Sequence, residues 1–476
     1  MPNARRVLVG VTYGFSVRYL VPTGVLAQLA DVCRPVVGLG WDDPELVREL
    51  EGLGIETVRM PDARIDHEHR MFRRRMAILH ERRLRSPSSA IERRQRVALL
   101  KGRGRAIHDL RRLRDSLQLA VPGAAAATEA EEPAKVRAGT NVAEFESFLA
   151  SSGVDAVLCL TPYHDQDALL LFAARSMGIP SLTSVISFDN PTTRARMVVR
   201  SERVLVWNRF NRAELLRSYP DLTEDRIGVI GAPQFDLHRR ADLVATEKDW
   251  RTELGLPADR PIVLYGGGPS FLVPQETRLV ELLDDAIDRG AIAGDPYLLV
   301  RRHPAERPEP WDALRSRLRH GTVVDPWAAG SNPHRGWPTE DDLRVQMSSL
   351  QHSAVHVNVC SSMTLDGAVF DRPQVGPTFV PGLDRAEQRR VRDLYEREHW
   401  WPLPRSGGLR AADAEEQLVA AVAASLDDPS IGREGRRRMA QDLLTYTDGA
   451  AGTRLVKEVA DLVGERSVSG SQRVQR

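Results

Sequence analysis

Short apolar runs of strand length alternate with helix-patterned stretches through most of this chain, and that alternation confines it to parallel βα architecture. In the first half, strands are expected at Arg6–Val11, Pro35–Leu39, Glu56–Arg59, Ala156–Leu160, Ser181–Ile186, Arg203–Trp207 and Arg226–Ile230. Helices are expected between them near Pro22–Asp31, Pro44–Leu53, Asp167–Met177 and Arg209–Ser218. The run RPIVLYGGG, Arg260–Gly268, opens a second series, with a helix near Thr277–Asp288 and strands at Tyr297–Arg301, Thr322–Val324, Val355–Val359 and Gln374–Val375. A chain of 476 residues has room for two such lobes. The expected fold is α/β, with two Rossmann-like lobes whose parallel sheets face across a cleft, the place where ligands meet the carboxyl ends of strands. Residues 1–238 form the expected first lobe and 239–447 the second, with the stretch around 237–256 read as the crossing between them.

One region interrupts the alternation. From Arg70 to Arg114 the chain reads MFRRRMAILHERRLR, IERRQR and KGRGRAIHDLRRLR, a set of long basic helices. Met71, Ile78, Leu79, Leu99, Leu100, Ile107 and Leu110 are their expected buried side chains. VPGAAAATEAEEPAKVRAG follows and reads as a mobile loop, so residues 70–139 form a basic helical insertion in the first lobe. Clustered arginines suit an anionic membrane surface or a phosphorylated acceptor. Nucleic acid is not expected, because no aromatic residues interleave with the charge and the whole chain carries a net charge of only +1.

The three cysteines, Cys33, Cys159 and Cys360, lie too far apart for a zinc cluster or a disulfide framework, which points to the cytoplasm. No run of about 18 apolar residues marks a membrane span, so membrane contact is expected to be peripheral, at the inner face.

The segment VHVNVCSSMTLDGAVFDRPQVG carries the clearest chemistry. A strand runs into Ser361, Ser362 and Thr364 where a helix begins, and free N–H groups, hydroxyls and the helix dipole there favour a diphosphate. Asp366 follows within the first turn, placed to accept from ribose hydroxyls, although helix capping alone also explains serine and threonine at this spot. Arg302 and His303 close the Tyr297–Arg301 strand as phosphate ligands. Gly267 and Gly268 let backbone approach a ligand, but no Gly-Lys-Ser/Thr follows them and the GxGxxG spacing is missing.

In the first lobe, Tyr13, Phe15, Ser16 and Arg18 follow the first strand and are candidate acceptor contacts, with Asn190 and Arg194 of SFDNPTTR. His164 and Asp165 in the loop after the Ala156–Leu160 strand, and Asp189 in the loop after Ser181–Ile186, are the candidates for the general base that deprotonates an acceptor hydroxyl. Cap and turn roles explain the two aspartates equally well. No metal is expected: no His/Cys cluster has ligand spacing, no DxD follows a strand in the nucleotide-sugar lobe, and the DQD at Asp165–Asp167 precedes a helix like an ordinary cap.

Taken in order, Ser187-Phe188-Asp189-Asn190, RVLVWNRFNRAEL, RIGVIGAPQFD ending at Asp236, RRHP at Arg301–Pro304 and SSMTLDGAVFDRP resemble bacterial surface-polysaccharide glycosyltransferases of the GT-B fold. They are also similar to UDP-N-acetylglucosamine 2-epimerases and CDP-glycerol glycerophosphotransferases. The likeness spans about Asp155 to Pro377, and TDGAAGTR at Thr447–Arg454 looks like the closing helix of the group. The resemblance implies a nucleotide-diphosphate donor on the second lobe, with Ser361, Ser362 and Thr364 on phosphates and Asp366 on the ribose. It also implies a C-terminal helix, 448–466, returning to the first lobe ahead of a disordered tail, 467–476. Epimerases of this kind carry a Gly-Gly pair followed by paired glutamates, where this chain has Met363 and Asp366-Gly367; the His-Gly element and downstream Lys of the polyol-phosphate transferases are not found. The expected activity is metal-independent, inverting transfer of a sugar from a nucleotide-diphosphate sugar to a hydroxyl acceptor, free or lipid-linked, with no cofactor beyond that co-substrate. Epimerisation, phosphopolyol transfer and non-catalytic nucleotide binding are the alternatives.

Overall fold

A computed structural model describes residues 4–98, 100–194, 196–326 and 338–473, with side chains to residue 464. The chain divides into two compact units, one of residues 1–234 with 450–476, the other Phe235–Gly449.

The first unit holds a seven-stranded sheet in which every pairing is parallel. Its strands are β1 (Arg6–Val11), β2 (Arg34–Leu39), β3 (Glu56–Arg59), β4 (Ala156–Cys159), β5 (Ser181–Ser184), β6 (Arg203–Val206) and β7 (Ile227–Val229), in the order β3-β2-β1-β4-β5-β6-β7. Near-continuous apolar runs such as RVLVGV are what a sheet covered on both faces requires, and all but the first residue of β1 are buried. The strand order reverses between β1 and β4, so the loops after these two strands open a crevice at their carboxyl ends.

The second unit repeats the plan with β8 (Ile262–Gly266), β9 (Tyr297–Arg301), β10 (Gly321–Val324), β11 (Val355–Asn358), β12 (Gln374–Pro377) and β13 (Leu409–Ala412), ordered β10-β9-β8-β11-β12-β13 and again all parallel. Its reversal falls between β8 and β11. Leu237, Leu243, Trp250 and Leu256 pack into this unit's own core, so the stretch read as a crossing belongs to the second unit. The strand β13 escapes the sequence pattern because LRAA is short and only its two end residues are buried.

Within the insertion the chain forms helices over His67–Leu84, Pro87–Ala98 and Arg103–Gln118. Ile78 and Leu79 are buried as expected, joined by Phe72, Met76 and Leu119 in a small core. Leu100, Ile107 and Leu110 are exposed instead, and Leu99 lies outside the described residues. The expected mobile loop is two further helices, Ala124–Ala130 and Glu132–Gly139. Alanine carries the highest helix propensity, and Glu129 and Glu132 anchor these helices on Arg83 and Arg196. At the far end, the Ala451–Arg473 helix continues through most of the stretch expected to be a disordered tail. It is fixed to the first unit by Glu458 with Arg203 and by Thr453 with Gln28.

Candidate functional site

In the second unit, register places Gly266 of β8 between Asn358 of β11 and Arg301 of β9. The turns after the three strands therefore stand side by side, the outer two roughly 10 Å apart at the usual strand spacing. Gly266 is required there, because a Cβ would collide with the Met363 sulfur.

The turn after β11 is built by two residues the sequence pattern did not single out. Asn358 Oδ1 accepts from Ser361 N at 3.1 Å and from the buried Thr364 hydroxyl at 2.9 Å. Tyr395 Oη accepts from Cys360 N at 3.2 Å and donates to the Pro377 carbonyl at 3.0 Å. Between these two anchors Cys360 adopts φ 50°, a left-handed conformation that costs a non-glycine residue on the order of 1 kcal/mol and clusters at functional turns. Thr364 is thereby spent on Asn358, and the Ser361 hydroxyl accepts from Met363 N at 3.3 Å. Ser362 is exposed, and among the described residues neither its N–H nor its hydroxyl has a partner.

Asp366 is not presented to a ribose. It is buried, with Oδ1 2.9 Å from His238 Nε2, and the His238 ring stacks on Phe235. A Cβ on the next residue, Gly367, would collide with Gln374 and His356, so tight packing of this helix on β11 and β12 explains the Asp-Gly pair.

Arg302 is likewise committed, donating to Asp325 Oδ1 at 2.8 and 3.0 Å and to the Glu306 carbonyl. His303 Nδ1 accepts from Ala305 N at 3.0 Å, which places the ring proton on Nε2. Burial, then the Arg302 charge, push His303 down to about 4, so it is a neutral N–H donor at physiological pH.

Both glycine N–H groups are occupied, Gly267 by the Arg301 carbonyl at 2.9 Å and Gly268 by Glu276 Oε2 at 2.6 Å. Glu276 was not a sequence candidate; it is buried, accepts from Tyr265 Oη at 3.0 Å, and burial pushes its carboxyl up to about 8.

In the first unit, Gly10 of β1 lies level with Cys159 of β4, and Cys159 with Thr183 of β5, so the loops carrying Tyr13, His164 and Asp189 are neighbours. Asp165 is exposed and paired with Arg73 from the His67–Leu84 helix. Asp189 accepts from the Ser187 hydroxyl and from Thr193 Oγ1, the latter at 2.9 Å, and thereby shapes its own turn. Ser16 is fully buried, which removes it from acceptor contact, and Asn190 is buried with Oδ1 3.5 Å from Arg194 Nε. Arg18 is partly buried, whereas Arg194 is exposed. Tyr13 and Phe15 expose their rings, with centroids 5.3 Å apart, and Tyr13 meets His164 edge-on at 5.5 Å.

His164 is the remaining candidate base. Burial, then the Arg194 charge, lower its basicity. Its Nδ1 lies 3.4 Å from Thr12 Oγ1, and that hydroxyl in turn donates to Asp167. Asp167 is fully buried, also receives the Thr161 hydroxyl, and is pushed up to about 6 by desolvation. Sequence reading treated Asp167 as a helix cap; its link to Thr12 joins residues 155 apart and is visible only in the fold. Among the described residues no group of three or more His, Cys, Asp or Glu side chains is placed to hold a metal ion.

Two parallel Rossmann-like units with these strand orders define a fold of the GT-B type. S. aureus MnaA, solved with UDP, aligns over 97% of this chain and 97% of its own at 11% identity and a TM-score of 0.55. UDP-GlcNAc 2-epimerase from Neisseria meningitidis, bound to UDP-GlcNAc, covers 95% of this chain and 99% of its own at 11% identity and a TM-score of 0.53. A glycosyltransferase from Rickettsia africae covers 97% and 99% at 11% identity and a TM-score of 0.51. At these identities the likeness is one of fold. No family model and no curated protein matches the sequence.

Proposed function

We propose that this chain is a glycosyltransferase that moves a sugar from a nucleotide-diphosphate sugar to a hydroxyl acceptor without a metal, in cytoplasmic assembly of surface carbohydrate. The observation that carries this reading is His164, an imidazole kept neutral by burial at a strand tip beside two exposed aromatic rings. With Nδ1–H directed to Thr12, its Nε2 lone pair takes the acceptor hydroxyl proton as the oxygen attacks the anomeric carbon. The bond from that carbon to the diphosphate breaks, and the diphosphate leaves with the electron pair. Tyr13 and Phe15 offer ring faces to the acceptor. On the second unit, the donors for the diphosphate are Ser362, in the turn after β11 at the strand-order reversal where nucleotide folds bind ligand, and the His303 N–H, after β9 on the other side of β8. Peripheral membrane contact is part of the reading. Ile107, Leu110, Leu113 and Leu117 form an exposed apolar stripe along the basic Arg103–Gln118 helix, and among the described residues no helix is long and apolar enough to cross a bilayer.

The epimerase-like fold matches favour a second reading, hydrolysing 2-epimerisation of a nucleotide sugar. Incubation with UDP-, GDP-, dTDP- and CDP-sugars, with and without EDTA, separates the two. Transfer requires an added acceptor and survives EDTA, whereas a 2-epimer formed without acceptor refutes transfer.

A further inference from the structure

The helical insertion holds an open-mouthed pocket of about 260 Å³ that no step above uses. Its walls come from the His67–Leu84, Pro87–Ala98 and Arg103–Gln118 helices, joined by Thr193 and Arg194 from the loop after β5. Five arginines line it (Arg74, Arg93, Arg96, Arg112 and Arg194) against two glutamates. Glu81 is shared by two of those arginines, accepting from Arg93 and, at 2.6 Å, from Arg112 Nη2. One carboxylate cannot saturate two five-donor forks, so guanidinium N–H groups remain for a further anion.

His80 supplies a second, independent sign. It lines the cavity, is 6% exposed, and among the described residues neither of its ring nitrogens has a hydrogen-bond partner. A buried polar group left unsatisfied costs about 1–3 kcal/mol, which a bound ligand removes by accepting from its N–H. Burial, then the charges of Arg196, Arg83 and Arg200, none of which lines the pocket, push His80 down to about 4, so it is neutral and the pocket's positive field belongs to the lining guanidiniums.

Size and composition select the ligand. The volume lies just below the usual 300–1,000 Å³ of small-molecule sites and fits a phosphate or diphosphate group, with an open mouth through which the rest of the ligand can project. Arg194 also lowers the basicity of His164, so the two are close enough to interact electrostatically.

We propose that this pocket binds the phosphate or diphosphate group of the acceptor, and that Arg194 thereby sets the acceptor hydroxyl beside His164. The proposal rests on the transfer reading for the word acceptor, while the phosphate site stands on the pocket alone. Two sources share this chemistry, a soluble sugar phosphate and a lipid-carried diphosphate.

The test uses the full chain, with glucose 1-phosphate, farnesyl diphosphate and inorganic pyrophosphate as probes, read by calorimetry and by hydrogen exchange. Binding is expected to protect amides within residues 67–118, and the surface double variant Arg96→Gln/Arg194→Gln is expected to bind at least 10-fold more weakly with an unchanged melting temperature. His80→Phe, read the same way, tests the buried ring. Tighter binding of farnesyl diphosphate than of pyrophosphate identifies the lipid-carried source; preference for glucose 1-phosphate identifies the soluble one. Protection confined to residues outside 67–118 and 187–198, or equal affinity in the double variant, overturns the proposal. A 2-epimer product in the sugar-nucleotide assay, with protection of 67–118 retained, defeats the transfer reading and leaves the phosphate site standing.

Discussion

Glu276 makes stability depend on pH in a calculable direction. The carboxyl is buried between Gly268 N at 2.6 Å and Tyr265 Oη at 3.0 Å, and titrates at about 8 in place of its ordinary 4.5. The folded chain thus holds this proton more tightly than the unfolded chain. Its contribution is whole below pH 4.5 and is lost as the pH rises to about 8, a swing on the order of 4–5 kcal/mol as an upper bound. Glu276→Gln keeps the shape and an oxygen for the Gly268 N–H but cannot titrate. Urea titrations across pH 5–8, followed by the fluorescence of buried Trp250 and Trp311, are the assay. The wild type should lose stability relative to the variant as the pH rises, by roughly 3 kcal/mol or more across that window. Other titrating groups move both proteins together and cancel in the difference. Parallel curves refute the assignment of a buried, protonated glutamate behind the glycine turn.

Replacing His164 with Ala should lower transfer by about 10²–10⁴-fold with nucleotide affinity retained, measured by turnover and calorimetry; Asp165→Asn should leave turnover within a few-fold, since that carboxylate is held by Arg73. Ser362→Ala should weaken nucleoside diphosphate binding roughly 5- to 10-fold without shifting the melting temperature, because the side chain is exposed. An unchanged dissociation constant removes Ser362 from the donor site. His238→Ala strands the buried Asp366 carboxylate and should destabilise the protein by about 3–5 kcal/mol, whereas changing both residues to a matched apolar pair should recover much of the loss in thermal melts.

The strand assignments were legible because strands buried on both faces write themselves as apolar runs such as VLYG and YLLV, and their parallel direction followed from the alternation with helices. The turn at Ser362 was legible for the same local reason, a strand passing directly into a helix. What remained hidden depended on distant partners. Asp366 carries its polar chemistry equally well toward a ribose or toward His238, which lies 128 positions earlier, and spacing cannot choose between them. Arg302 announced a phosphate ligand, but Asp325 arrives from the end of the next strand and takes it. The loop expected at 121–139 was misjudged because its prolines and small residues outweighed its alanines, although Pro133 falls within the first turn of a helix, where its missing N–H costs nothing.

The Ala451–Arg473 helix belongs to the same unit as β1–β7. Arg203 and Glu458 are bonded across 255 positions, with the whole of the second unit threaded between them. Phe235–Gly449 emerges from the ribosome as an uninterrupted stretch and is free to fold while synthesis continues. The first unit is complete only once the Ala451–Arg473 helix has followed. More than two hundred residues are translated between Arg203 and its partner, so truncation after Gly449 is expected to leave the second unit's chain complete and the first without Glu458.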